Sequence, residues 1–152
     1  MLPATTSRVA EQTADHVNAA IWRQTEENIS CYSSQGPDAI RRRLEELDRE
    51  WDMERALEAN ASLAALLGLS LGALVDRRFF IFPAIVAGFL LQHALQGWCP
   101  PVPVLRRLGL RTSTEIDCER YALKALRGDF QEVIPRRSNG EIVGKTLEAV
   151  RA

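Results

Sequence analysis

Between Ala59 and Trp98 the chain carries only three charged residues, and they are adjacent: Asp76, Arg77 and Arg78. Apolar blocks flank them, Ala59–Val75 on one side and Phe79–Trp98 on the other. At ~1.5 Å per residue these blocks make helices of about 25 and 30 Å, close to a ~30 Å hydrocarbon core. A three-residue charged break between two such blocks predicts a transmembrane helical hairpin with spans over about 59–75 and 79–98. The fold class expected is all-α, a membrane protein whose two-helix hairpin is flanked by amphipathic cytoplasmic helices.

The charged flanks hide this feature in whole-chain averages. The 152 residues have a net charge of -1, which suits one domain and gives no basic face for nucleic acid. Cys31, Cys99 and Cys118 are widely spaced and form neither a disulfide framework nor paired zinc-binding CxxC units. Residues 1–30 contain Glu11, Asp15, Glu26 and Glu27 and no apolar core, so no signal peptide is expected and insertion falls to the hairpin. The expected organisation is a partly disordered segment over 1–36 with a weak helix near 13–29, a hairpin domain over 37–130, and a tail over 131–152. The tail holds a Ser138-Asn139-Gly140 turn and a short helix near Lys145–Val150.

Residues 30–36 read as a loop. Pro37 at a first helical position and Asp38 in the first turn open a helix. Its apolar stripe is Ile40, Leu44, Leu47 and Trp51, and no proline or glycine follows before Gly68, so it is expected to enter the membrane unbroken. The acidic run Glu45, Glu46, Asp48, Glu50, Asp52, Glu54, interleaved with Arg49 and Arg55, reads as a solvated helical face. In the first span Gly68 and Gly72 form a GxxxG, and Ala84 and Gly88 repeat that spacing in the second. Small residues permit close helix approach in lipid, so these four are the expected packing positions. Centring the turn between Arg77 and Arg78 places Gly68 near Ala87, Gly72 near Pro83, Ser62 opposite His93 and Asn60 opposite Gln96. The GxxxG serves either this pairing or homodimerisation. Pro83 either kinks the second span or opens it, with Phe79, Phe80 and Phe82 as an interfacial turn.

Beyond Trp98, Pro100, Pro101 and Pro103 predict an extended exit. Thr112 and Glu115 then have capping-box spacing for a helix through Tyr121 to about Arg127, ended by Gly128, with Ile116, Leu123, Leu126 and Phe130 as its apolar stripe. Arg41, Arg42, Arg43, Arg49 and Arg55 precede the first span and Arg106, Arg107 and Arg111 follow the second, against Arg77 and Arg78 in the turn. The positive-inside rule places both termini in the cytoplasm.

Gln92, His93, Gln96 and Cys99 form a polar line at the end of the second block. Polar side chains at membrane depth are costly and mark candidate sites. Two readings follow: hydrogen bonding between helices, or a thiol-dependent sulfur or redox accessory using Cys99. Cys99 lies at a helix C-terminus, the wrong end to stabilise a thiolate, so the first is preferred. No catalytic set, metal site or cofactor motif is recognisable.

The residues Glu50-Trp51, Glu54-Arg55, Leu91 to Pro100 (LQHALQGWCP), Leu105-Arg106-Arg107-Leu108-Gly109 and Arg127-Gly128-Asp129-Phe130 resemble the YgaP-like transmembrane domain family, over about residues 38–130. The resemblance implies a two-helix module of the bacterial inner membrane. Some members join it to a rhodanese domain, for which this chain has neither room nor a cysteine loop. It implies no catalytic residue. The function expected is that of a small, non-catalytic membrane protein that contacts the lipid bilayer and forms a homo-oligomer or binds a partner.

Overall fold

The computed structural model describes residues 3–131, so the expected turn at 138–140 and helix near 145–150 lie outside the described residues. Among the described residues there are α-helices and 3₁₀ turns and no strand. In order these are α1 (Arg8–Glu11), α2 (Asp15–Ser34), α3 (Pro37–Leu47), α4 (Met53–Leu74), a 3₁₀ turn (Arg77–Phe80), α5 (Ile81–Gln96), α6 (Val102–Arg107) and α7 (Ser113–Arg127). They build two compact units. One comprises the described residues up to Arg23 together with Trp51–Ile116; the other comprises Gln24–Glu50 and the described residues from Asp117 onward.

Three local expectations change. First, α2 continues to Ser34, through most of the predicted loop, and stops before Gly36, whose φ of 93° no L-residue adopts easily. Second, the helix that starts at Pro37 does not run on into the first apolar block. It buries Ala39, Ile40, Leu44 and Leu47 and ends there. Asp52 then caps a new helix, accepting a bond from the Arg55 N–H at 2.7 Å, while the Met53 N–H donates to the Arg111 carbonyl at 2.8 Å. An aspartate side chain that satisfies an orphan N–H competes with helix continuation, which no proline or glycine is needed to stop. Trp51, expected in the buried stripe, lies instead in the break, 51 % exposed beneath the Arg55 guanidinium. Third, Pro100, Pro101 and Pro103 do not force an extended exit. They initiate α6, where the first helical N–H groups have no intrahelical partner and prolines cost little.

Pro83 is resolved by the same logic. Asp76 caps the 3₁₀ turn through the Arg78 N–H at 2.8 Å, and Pro83 falls in the first turn of α5, so it opens the helix. Gly68 and Gly72 are the buried positions of α4's middle and pack against this entrance. A Cβ on Gly68 would lie 2.7 Å from Pro83 Cδ, and one on Gly72 would lie 2.7 Å from Phe80 Cδ1. The GxxxG is therefore consumed within the chain, against ring atoms where small residues were expected. Ala84 and Gly88 do not share that contact: both are exposed, and a Cβ on Gly88 would meet nothing within 4 Å. The register differs from the expected one by about a helical turn. The 3₁₀ turn supplies part of this: its four residues advance ~2.0 Å each against ~1.5 Å in an α-helix, about 2 Å in all.

Around the ends of these helices Val9, Met53, Leu57, Cys99 and Val102 form a buried cluster, flanked by Leu105 and Leu110. Beside it Arg106 is 1 % exposed and uses all five of its N–H donors. They go to both Glu115 oxygens (2.6 and 2.7 Å), the Leu110 carbonyl, Asn18 Oδ1 and Thr13 Oγ1. Glu115 also closes the predicted capping box, accepting from the Thr112 N–H at 2.8 Å while its own N–H donates to Thr112 Oγ1. Burial works to raise the Glu115 pKa, but the bonds from Arg106 and Thr112 prevail and hold it below the usual carboxylate range.

In the other unit α7 ends at Gly128 as expected. Its inward face includes Leu123 and a carboxylate, Glu119, whereas Leu126 is 58 % exposed. Glu119 is fully buried and accepts bonds from Arg43 Nε at 2.7 Å and from Asn28. Burial opposes the Arg43 charge, yet the bonds to Glu119 and Glu46 outweigh it and raise the guanidinium pKa.

Candidate functional site at the open end of the helix pair

The polar line expected over Gln92, His93, Gln96 and Cys99 divides by direction. His93 and Cys99 turn inward and are buried, Gln92 is half-buried, and Gln96 is exposed. His93 does not meet Ser62. Its Nε2 lies 3.0 Å from Glu54 Oε2, joining α5 to the first turn of α4. The carboxylate can only accept, so Nε2 carries the proton. The other Glu54 oxygen accepts from Arg8 at 2.7 Å, which brings α1 to the same carboxylate. Asn60 does not meet Gln96 either; its amide donates to the Ala56 carbonyl of its own helix at 2.8 Å.

Gly97 completes the arrangement. Its φ of 78° ends α5 in the left-handed region, and its N–H donates to the His93 carbonyl at 2.7 Å. A Cβ there would lie 2.3 Å from the Arg8 carbonyl oxygen, so backbone approaches backbone where only glycine leaves room. The Arg8–Glu54–His93 chain and the Gly97 contact together fasten α1 to the ends of both apolar helices.

Glu54 and Arg8 were missed by sequence reasoning. Glu54 reads as the last member of an acidic solvated run, and its partner on α5 becomes visible only with the shifted register. The one signal available is position: Glu54 is the acidic residue of that run nearest the apolar block, hence nearest the polar end of the second. Chemically the arrangement holds charge without offering a reaction. A histidine oriented by a carboxylate needs a nucleophile or substrate atom within reach to act as a base. Glu54 and His93 supply two ligand atoms, but Arg8 puts a cation on the same carboxylate, and no group of three His, Cys, Asp or Glu among the described residues is placed to hold a metal ion.

Cys99 is 3 % exposed beside Met53 and Leu57. Burial pushes its thiol pKa up and nearby Glu54 adds to this, against a smaller opposing bond from the Val102 backbone. A reactive thiolate needs the reverse. Under native conditions iodoacetamide should therefore modify exposed Cys31 and Cys118 well before Cys99. Mass spectrometry after timed quenching would report the order. Equal rates at all three cysteines would contradict the burial of Cys99.

Comparison of the chain with protein-family models, curated proteins and solved structures finds no significant match.

Proposed function

We propose that the chain is a small integral protein of the bacterial inner membrane, a YgaP-like, non-catalytic module. In this reading α4 and the segment from Arg77 to Gln96 span the bilayer as a hairpin, and both termini lie in the cytoplasm. One observation carries the reading. The two helices are long and apolar enough to cross a membrane, yet only 17 % and 6 % of their most apolar stretches are buried within the protein. A core helix of a water-soluble protein hides such a stretch. Here Leu63, Leu66, Leu74, Ile81 and Leu91 are all exposed, an apolar surface that lipid would cover. The Arg8–Glu54–His93 chain supports the same reading, because charge at the edge of hydrocarbon is tolerated when paired. The membrane-facing surface is then available to a second copy or a partner. With Gly68 and Gly72 occupied inside the chain, that surface includes Ala84 and Gly88.

Washing membranes with carbonate, then labelling cysteines introduced near each terminus and at Arg77, tests insertion and topology. Retention in the pellet, with both termini reactive only from the cytoplasmic side, is expected. Extraction into the wash would end the proposal. For association, Gly88→Leu should weaken an oligomer measured by sedimentation in detergent. Gly72→Leu should lower the thermal midpoint without changing oligomer size. The opposite pattern would return the GxxxG to the interface between copies.

A further inference from the structure

Above the tight contact at Gly68, α4 and α5 part before the Glu54–His93 link closes them again, and a cavity of about 370 Å³ lies between. Leu57, Ala61 and Ala64 line it from α4, and Phe82, Val86 and Phe89 line it from α5. Cys99, Pro100 and Pro101 close one end. Along α4 the lining runs for about 10 Å at ~1.5 Å per residue. The slot is elongated, its wall is almost wholly carbon, and the alanines of one helix leave space beneath the aromatics of the other. We propose that it binds one acyl chain of a bilayer lipid. This rests on the membrane reading and adds a ligand to it.

Four observations select an acyl chain. Taking a methylene as similar in size to a water molecule, with its ~30 Å³ share of liquid volume, the cavity holds about a dozen. Its walls hold no charged side chain for a headgroup: the polar groups in the lining are the Asn60 amide, which spends one N–H on its own helix, and the buried Cys99 thiol. The slot is open on one side and continuous with the exposed apolar surface of both helices, so the groups next to it in a bilayer are lipid tails. It also stops at both ends, at Pro83 and Phe82 against Gly68 and at Pro100 and Pro101, which suits a chain segment of limited length. An empty apolar slot of this size forfeits dispersion contacts along its whole lining, and a flexible chain restores them.

The test uses the full chain in vesicles of phosphatidylglycerol containing a trace of the same lipid with a diazirine midway along one acyl chain. After a carbonate wash and illumination, adducts are mapped by peptide mass spectrometry. Adducts concentrated on Leu57, Ala61, Ala64, Phe82, Val86 and Phe89 are expected, several-fold above those on Ile81, Ala84, Gly88 and Leu91. Ala64→Phe, which fills the slot, should reduce them at least fivefold, and Leu74→Ala, at an exposed position away from the lining, should leave them unchanged. Slow alkylation of Cys99 in each variant verifies that the helix pair is intact; if Ala64→Phe fails this check, the smaller Ala61→Leu replaces it with the same expectation. Even labelling of all faces, or adducts indifferent to filling the slot, would overturn the acyl site while leaving the inserted hairpin standing. Dimers cross-linked through the slot would assign it to a second copy instead. Release of the chain by carbonate would overturn both readings.

Discussion

Arg106→Ala is expected to destabilise the folded chain by about 3–5 kcal/mol, the cost of leaving one member of a buried ion pair without its partner. The loss extends past Glu115. The guanidinium also serves Leu110, Asn18 and Thr13, so its removal strands acceptors on three other parts of the chain. Arg106→Lys should recover little, since an ammonium has three donors and cannot meet both Glu115 oxygens in a fork. The paired change Arg106→Met with Glu115→Leu should cost less than the sum of the two single substitutions, although the acceptors on Leu110, Asn18 and Thr13 and the Thr112 N–H stay unserved. Thermal unfolding in detergent followed by circular dichroism would compare them, and simple additivity would contradict the coupling. The pH dependence has a definite sign. The Glu115 pKa is lowered on folding, so its contribution is complete above the unfolded carboxylate value of ~4.3 and disappears as pH falls through the lower folded value. Glu115→Gln should flatten that acid limb.

Gly97→Ala is the second large effect expected. A non-glycine residue in a sparsely populated backbone region costs ~1–3 kcal/mol by itself. Here the methyl group must also displace the Arg8 carbonyl, which draws the Arg8 side chain away from Glu54. The thermal midpoint should fall, α1 should become open to proteolysis, and Cys99, packed beside Val9, should alkylate faster. Gly97→Asn separates the causes. Asparagine tolerates the left-handed region but still carries a Cβ, so its variant should resemble alanine's. Full recovery would place the whole effect in backbone strain and none in the contact with Arg8.

The parts of this molecule that were legible in the sequence are those set by local chemistry. The two apolar helices and their break follow from long runs without an acidic or basic side chain other than His93 on either side of Asp76–Arg78. The Thr112–Glu115 box and the stop at Gly128 follow from spacing alone. What was not legible depended on distant partners or on competing local choices. The end of α3 turned on Asp52 preferring a cap to a helical interior. The role of Pro100 and Pro101 turned on which side of them the next helix lies. The pairing of His93 required a register the sequence does not show, one that moves its partner on α4 from Ser62 to Glu54, eight residues or about two turns away. Likewise, Glu119 carries the polarity of a surface residue and is buried only because Arg43 and Asn28 meet it there.

The alternation of the two units along the chain has a consequence for synthesis. Gln24–Glu50 is made before the two apolar helices, yet the rest of its unit begins only at Asp117. Arg8 and Glu54 are both made early, and His93 reaches the second oxygen of that carboxylate only once the second apolar helix has emerged. During synthesis Arg8 is thus the first neutralising partner available to Glu54, with histidine arriving later as the lock. Neither unit can close until the residues around α7 leave the ribosome. Chains stopped between Arg107 and Ser113 would hold both apolar helices but lack Glu115 for Arg106 and Glu119 for Arg43. They would be unfinished, with Arg106 lacking its carboxylate and Arg43 left with Glu46 and Glu50 alone.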